Sequence, residues 1–384
     1  MMKLKLKHIC FCSLIGMGGL ALTSCNDFLD RSPISDITPE DYFNTVDQVG
    51  SYVINYYDDY LENSNTTKMY HQRAWNSGVV RNDANTDNLL SDDGNLDYFA
   101  GNKQVPEGKN IQEPLNRIRV WNYLFEQVLP KEKEGTIPGD AELLKQYIGE
   151  AYFFRALAYY NALVRFGDYP IITEVLPDDS ETLIKKSQRA PRNEVARFIL
   201  QDLDSAYYYM KTTAPMSNRL NKDCAALLKS RVALFEGTWE KYHKGTARVP
   251  GGPGWPGAEK DYLKDFTIDI DSEIKFFLTE AKEAAQIVAD KYPLFNDYPS
   301  LFNSQSLSNA SEVLLWRAYD ASLTPSVNHF VVGYIQRNGG GNTGWTRSMM
   351  QTYLMENGLP IYAGNSGYQG DKSYEAVATD RDPR

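Results

Sequence analysis

Through the middle of the chain, apolar and small residues recur at three- and four-residue steps, the period of a helix buried along one or more faces. The clearest stretch runs from about Asp140 to Phe166, where Ile148, Ala151, Tyr152, Arg155, Ala158, Tyr159, Ala162 and Leu163 fall at this spacing. Gly167-Asp168-Tyr169-Pro170 stops it. The pattern predicts a second helix from about Asn193 to Met210 and a third from about Lys222 to His243. A fourth is predicted from about Ile274 to Tyr292, with Phe277, Ala281, Ala284, Ala285 and Val288 on its apolar side. Asp265, Asp269, Asp271 and Glu273 alternate like calcium ligands but lack the EF-hand glycine, and read as the approach to that helix start. Near the front, Thr38-Pro39-Glu40-Asp41 reads as a cap and first turn, with a helix continuing through Val53, Tyr56 and Tyr60.

Small residues such as Ala151, Ala158 and Ala162 let neighbouring helices approach closely. Ala151 and Ala225 open similar segments about two tetratricopeptide periods apart, with insertions between them. Generic antiparallel helix packing is the alternative. Between these helices the pattern breaks down. Residues 62–118 are polar and irregular, and residues 245–257 form a Gly/Pro loop around Trp255. Beyond residue 310, Glu312–Trp316 and His329–Tyr334 are short strand candidates, with Trp316 placed in the core. The expected architecture is mainly α, a superhelix of tetratricopeptide-like hairpins with long irregular loops and a few short strands. The helical scaffold covers about 38–61 and 115–295, and the loop regions cover about 62–114 and 300–384. Long structured loops on a rigid scaffold are where binding residues concentrate.

The first 24 residues follow a different pattern. Lys3, Lys5 and Lys7 precede an apolar run from Ile9 to Leu22, with small residues just before Cys25. The run is too short to span a bilayer and reads as a secretory signal. Its ending, Leu22-Thr23-Ser24-Cys25, resembles a lipobox, in which the cysteine is acylated and becomes the first mature residue. Residues 25–37 then form a short polar tether broken by Pro33. Cutting after Ser24 removes Cys10 and Cys12, so a lipidated Cys25 leaves Cys224 without a disulfide partner. Cys224 lies in an apolar helical stretch and reads as a buried structural thiol. The cut also removes three lysines and no acids, leaving 37 basic against 50 acidic side chains, a net charge of −13. A chain this acidic, with no basic block, argues against nucleic-acid binding. It also offers no polybasic membrane patch, so anchoring falls to the lipid.

Catalytic motifs are scarce. Gly339–Gly344 lacks the Lys-Ser/Thr of a phosphate loop, the four histidines show no zinc spacing, and there is no Gly-x-Ser-x-Gly elbow. Acidic residues suited to a glycosidase pair occur in any acidic chain. The Asn82–Asp87 cluster could hold an ion, with a solvated loop as the alternative. The 26 tyrosines read either as half-buried rings between helices or as flat faces for sugar rings.

Gly149-Glu150-Ala151-Tyr-Phe-Phe-Arg155-Ala156-Leu157-Ala158-Tyr159-Tyr160, followed by Leu163–Pro170, resembles the signature helix of the SusD/RagB family. These are nutrient-binding outer-membrane lipoproteins of Bacteroidetes. Cys25-Asn-Asp-Phe-Leu-Asp is similar to the family's mature N-terminus, and Ala225–Leu234 with Gly237–Tyr242 to its next helix. Asn357-Gly358-Leu359-Pro360-Ile361 and Arg381-Asp382-Pro383-Arg384 resemble motifs near its C-terminal region. The family continues past that last motif, so the sequence reads as a fragment or truncated gene lacking the C-terminal part of the fold.

The resemblance implies a surface lipoprotein that binds glycan, without catalysis or a cofactor, and delivers it to a SusC-like TonB-dependent transporter. Peptide uptake or a protein-binding helical scaffold are the alternatives. It implies an aromatic platform built from an N-terminal loop, with Trp75 and Tyr98, and a late loop, with Tyr334 and Trp345. Asn342 and Arg347 would hydrogen-bond sugar hydroxyls. Trp239 and Trp255 read as helix packing and loop anchoring. Cys25 itself does not say which face of the membrane is used; the resemblance implies the outer face of the outer membrane.

Overall fold

The structure is a computed structural model. It describes residues 42–57, 86–91, 112–216, 218–304, 306–316 and 343–382. The scaffold consists of α1 (Val46–Asn55), α2 (Gln112–Glu134), α3 (Ala141–Phe166), the short α4 (Ser180–Lys186), α5 (Arg192–Tyr209), α6 (Lys222–His243) and α7 (Ile270–Ala289). After it come α8 (Tyr298–Asn303), α9 (Arg347–Thr352) and α10 (Tyr374–Ala378). Two short strands, β1 (Leu89–Ser91) and β2 (Thr343–Trp345), pair with each other. The expected mainly helical architecture is what the chain adopts.

Helix α3 is the hub. It packs on α1, α2 and α5, while α5 packs on α6 and α6 on α7. This central position explains its composition: Phe153, Phe154, Ala156, Tyr159 and Leu163 are all buried although they point in several directions. A helix apolar on most sides is stable only when neighbours surround it. Helix α7 closes one side of this packed series and is one-faced, burying Phe277, Ala281, Ala284 and Val288. Small residues set the close contacts, as expected. A Cβ on Gly149 would lie 2.6 Å from Met210 Cγ and 2.9 Å from the Met210 backbone nitrogen. Local chemistry sets the ends of α3. The Asp140 carboxylate accepts from the Glu142 and Leu143 amides, and Gly167 leaves the helix at φ 71°. Asn221 caps α6, and Asp269 caps α7.

Several charged groups are buried among the helices as matched pairs. Arg155 donates from Nε to Asp202 Oδ2 (2.8 Å), from Nη2 to Asp202 Oδ1 (2.7 Å) and from Nη1 to Asn122 Oδ1 (2.9 Å). Asn122 in turn donates to the Ile172 and Glu174 carbonyls. Arg192 grips Glu236 through two bonds of 2.7 Å. Glu150 accepts from Gln146 and Arg219. Glu150, Arg155 and Tyr159 of the signature stretch are therefore structural residues, tying α3 to its surroundings. Cys224 is buried, and burial pushes its thiol up to about 11, an inert structural cysteine as expected.

Several expectations are corrected. Residues 42–45 are not helical. The first described helix starts at Val46, because Thr45 and Gln48 form a reciprocal capping box. Phe43, at φ 62°, turns its ring into the core against Tyr42, Tyr52 and Tyr123. Thr38 and Tyr60 lie outside the described residues. Helix α2 begins at Gln112, inside the stretch read as irregular, and Pro130 sits within it without ending it. Helix α7 starts four residues before Ile274, where the Asp269 carboxylate receives the Asp271 and Ser272 amides. Glu312–Trp316 is irregular, not a strand, and Trp316 is half-buried rather than core. The segment packs by side chains instead: Leu314 and Leu315 lie against the core, and Glu312 accepts from the Phe295 amide. His329–Tyr334 lies outside the described residues.

Candidate functional site

The two loop regions expected to carry ligand meet in a strand pair. β1 and β2 run antiparallel, with Leu89 opposite Trp345 and Leu90 opposite Gly344. Thr346 locks the junction. Its amide donates to the Asn88 carbonyl (3.0 Å), its hydroxyl donates to the Asp87 carbonyl, and the same oxygen accepts from the Met349 amide to cap α9.

Trp345 stands on this ribbon with 58% of its surface exposed. Its indole stacks on Tyr353, with centroids 5.7 Å apart and planes 16° from parallel. An offset stack of this kind holds one ring in place while leaving its other face for a second flat partner. Tyr353 ends α9 and is fixed from behind: Arg381 Nη1 donates to its carbonyl (2.6 Å), and Arg381 Nε donates to the Val377 carbonyl (3.0 Å). The Arg381 guanidinium lies over Tyr368, 5.0 Å from the ring centroid. The Tyr368 hydroxyl donates to Asp371, which pairs with Arg347. The chain of contacts from Trp345 through Tyr353, Arg381, Tyr368 and Asp371 thus returns to Arg347, two residues past the tryptophan.

The Asn357–Pro360 motif is the turn that supports this unit. The Asn357 side chain accepts from the Leu359 amide and donates to the Ser366 carbonyl, and Gly358 sits at φ 78°. The Met355 amide donates to the Leu359 carbonyl, and the Asp382 amide to the Leu354 carbonyl. The two C-terminal motifs are therefore braces for the aromatic stack.

Of the residues expected to contact ligand, the structure brings Trp345 and Arg347 together. Arg347 is not the free hydroxyl donor expected, because Asp371 occupies it in an exposed ion pair, a kind of contact that contributes little stability and is readily exchanged. Trp75, Tyr98, Tyr334, Asn342 and Cys25 lie outside the described residues, as does most of the Asn82–Asp87 cluster. Sequence reasoning missed Tyr353, which lies eight residues past Trp345 across a short helix, a separation that no periodic pattern pairs. It also missed Tyr362 and Tyr374, exposed rings at 86% and 92%. Trp239 and Trp255 do what was expected. Trp239 packs along α6 under Arg192 (4.3 Å to the ring centroid), and Trp255 anchors its loop by donating to Asp168 Oδ2 (2.8 Å).

Among the described residues no group of His, Cys, Asp and Glu is arranged to hold a metal ion, and no helix is long and apolar enough to cross a membrane. A family model of the SusD-like type, described as starch-binding and associating with the outer membrane, matches residues 27–234. SusD-like protein P38 of Formosa agariphila is 30% identical over 206 residues, 54% of this chain and 38% of that protein. SusD-like protein P2 of the same organism is 24% identical over 226 residues, 58% of this chain and 42% of that protein. The crystal structure of a SusD-like carbohydrate binding protein from Bacteroides fragilis superposes with a TM-score of 0.60 at 14% identity, over 88% of this chain and 58% of that one. A second SusD-like structure from the same organism gives 0.57 at 17% identity, over 92% and 62%. At these identities the structural likeness is one of fold. The matches span about two fifths of the length of the curated relatives and about three fifths of the solved chains.

Proposed function

Since this chain belongs to the SusD-like family, whose model matches more than half of it, we propose that it binds glycan at the cell surface and passes it to a SusC-like TonB-dependent transporter, without catalysing a reaction. The observation that carries the binding reading is the exposed Trp345 stacked on Tyr353, on a ribbon that joins the two loop regions. Sugar rings present flat C–H faces to such an indole, and their hydroxyls need amide, carboxylate or guanidinium partners. Arg347 and Asp371 stand beside the stack and supply both kinds of charged partner.

Acylation of Cys25 would hold the protein on the outer membrane, with residues 25–37 as a short tether that lets the body tilt over the transporter. Tethering raises local concentration, so modest affinity per site is enough for delivery. The test is binding of a panel of soluble oligosaccharides to the purified chain, with Trp345→Ala beside it. The substitution is expected to weaken binding at least tenfold without shifting the unfolding midpoint. A panel with no binder, or unchanged affinity in the variant, refutes the reading.

A further inference from the structure

A second cleft lies on the helical scaffold, built from residues that the aromatic site does not use. It has a volume of about 860 Å³ and opens between the end of α3, the end of α4, the start of α5 and the 245–263 loop. That size suits a small ligand rather than a flat protein interface. Its lining is basic. Arg165, Arg189, Arg192, Arg248 and Lys260 line it, with Asp168 as the only lining acid, in a chain of net charge −10. Arg192 is neutralised by Glu236 behind it. The other four cations are exposed and form no ion pair among the described residues.

The walls are already built. Trp255 is buried and its indole N–H is held by Asp168. Gly257 permits this, because a Cβ there would lie 2.1 Å from the Trp255 ring. Asp168 also accepts the Arg192 amide at the start of α5 (2.9 Å), so the helix N-terminal amide that a phosphate would use is already taken. Remaining for a ligand is the ring of Tyr262, 41% exposed, beside three guanidinium forks and an ammonium; Phe166 is already stacked on Tyr169, with the Arg165 guanidinium 5.2 Å over its ring. Guanidinium forks match carboxylate and sulfate oxygens two at a time, and flat rings match sugar faces.

Building on the glycan reading above, we propose that this cleft is a second saccharide subsite, selective for oligosaccharides carrying carboxylate or sulfate groups. Positive potential in a cleft of an acidic protein concentrates anionic ligands there.

The test is calorimetric titration of the full chain with three probes: an oligogalacturonate, a sulfated galactan oligosaccharide and neutral maltoheptaose. The triple variant Arg189→Gln/Arg248→Gln/Lys260→Gln changes exposed side chains only. It is expected to lose at least tenfold in affinity for one or both acidic probes, with neutral binding unchanged. Affinity for the acidic probe is also expected to fall as salt is raised from 20 to about 500 mM, where the screening length shrinks several-fold. The two acidic arms distinguish uronate from sulfate as the recognised group. Equal affinity of the triple variant and wild type for the acidic probes overturns the proposal, as does loss of acidic binding in Trp345→Ala alone. So does a wild-type chain that takes polyglutamate or anionic vesicles through these cations but neither acidic sugar. If Trp345→Ala abolishes neutral binding while the triple variant matches wild type on every probe, this proposal fails and the glycan reading stands. If neither acidic probe binds wild type, this proposal fails, while the glycan reading is decided by the wider panel above.

Discussion

Replacing Arg155 by Met tests whether the signature stretch of α3 is structural. The side chain spans from α3 to Asp202 on α5 and Asn122 on α2, with three bonds of 2.7–2.9 Å. Its guanidinium also lies 4.6 Å from the Phe125 ring centroid. Met keeps much of the apolar stem but removes every donor. Asp202, 3% exposed, is then left as a buried carboxylate with no counter-charge. Breaking one side of a buried pair costs about 3–5 kcal/mol, a large share of the ~5–15 kcal/mol that stabilises a typical domain. Arg155→Met should therefore move the urea midpoint far down, read by circular dichroism. The double variant Arg155→Met/Asp202→Leu removes the orphaned charge and should recover most of the loss. The variant should also show a stronger pH dependence. Burial already pushes the Asp202 carboxyl upward, and Arg155 opposes that shift. Without Arg155, the native-state pKa rises further above the unfolded value. The group then favours the fold below the unfolded pKa, and this contribution is lost as pH rises through the native one. Arg155→Met should accordingly lie closest to wild type near pH 4 and fall furthest behind at neutral pH. A single variant within about 1 kcal/mol of wild type would refute the argument, as would a double variant no better than the single one.

Glu240 is fully buried on α6, and neither carboxyl oxygen has a hydrogen-bond partner among the described residues. Burial first, and Glu236 second, push its pKa to about 9. Its contribution to stability is thus intact below an unfolded pKa of about 4.3 and is lost as pH rises towards 9, at up to about 1.4 kcal/mol per pH unit. Glu240→Gln should match wild type near pH 4 and be the more stable protein at pH 8 in urea titrations; a pH-independent difference would contradict this. Gly149→Ala sets two effects against each other. Ala favours a helix interior by about 1 kcal/mol, but its Cβ would meet the Met210 backbone at 2.9 Å, and overpacking typically costs about 1–3 kcal/mol. The net expectation is a lower thermal midpoint, and a raised one would show that α3 and the end of α5 are not pressed together.

Much of the scaffold was legible because helix signals are local. Asp140, Asn221 and Asp269 mark helix starts by their own hydrogen bonds, and Gly167 marks an end. The apolar period placed α3 and α6 to within a residue, and the small residues pointed to close packing. The start of α1 was misjudged because the Thr45 box, with its reciprocal Gln48 bond, was not recognised as the cap of the helix that starts at Val46. Trp345 was legible as a ring in a glycine-rich loop. Its setting was not, since Tyr353 joins it through a turn and a brace from Arg381.

The helices, their ends, the acidic balance and the exposed tryptophan all follow from neighbours a few residues apart, where 3.6-residue geometry and capping chemistry act directly. Pairings between distant segments do not. Arg155 meets Asp202 across 47 residues, and Thr346 meets Asp87 across 259. The basic cleft assembles cations from four separate segments whose local charge pattern is unremarkable. Such contacts are chosen by how helices with large apolar faces can stack without leaving a buried charge unpaired, a condition that concerns the packed whole and has no signature in any short stretch of chain.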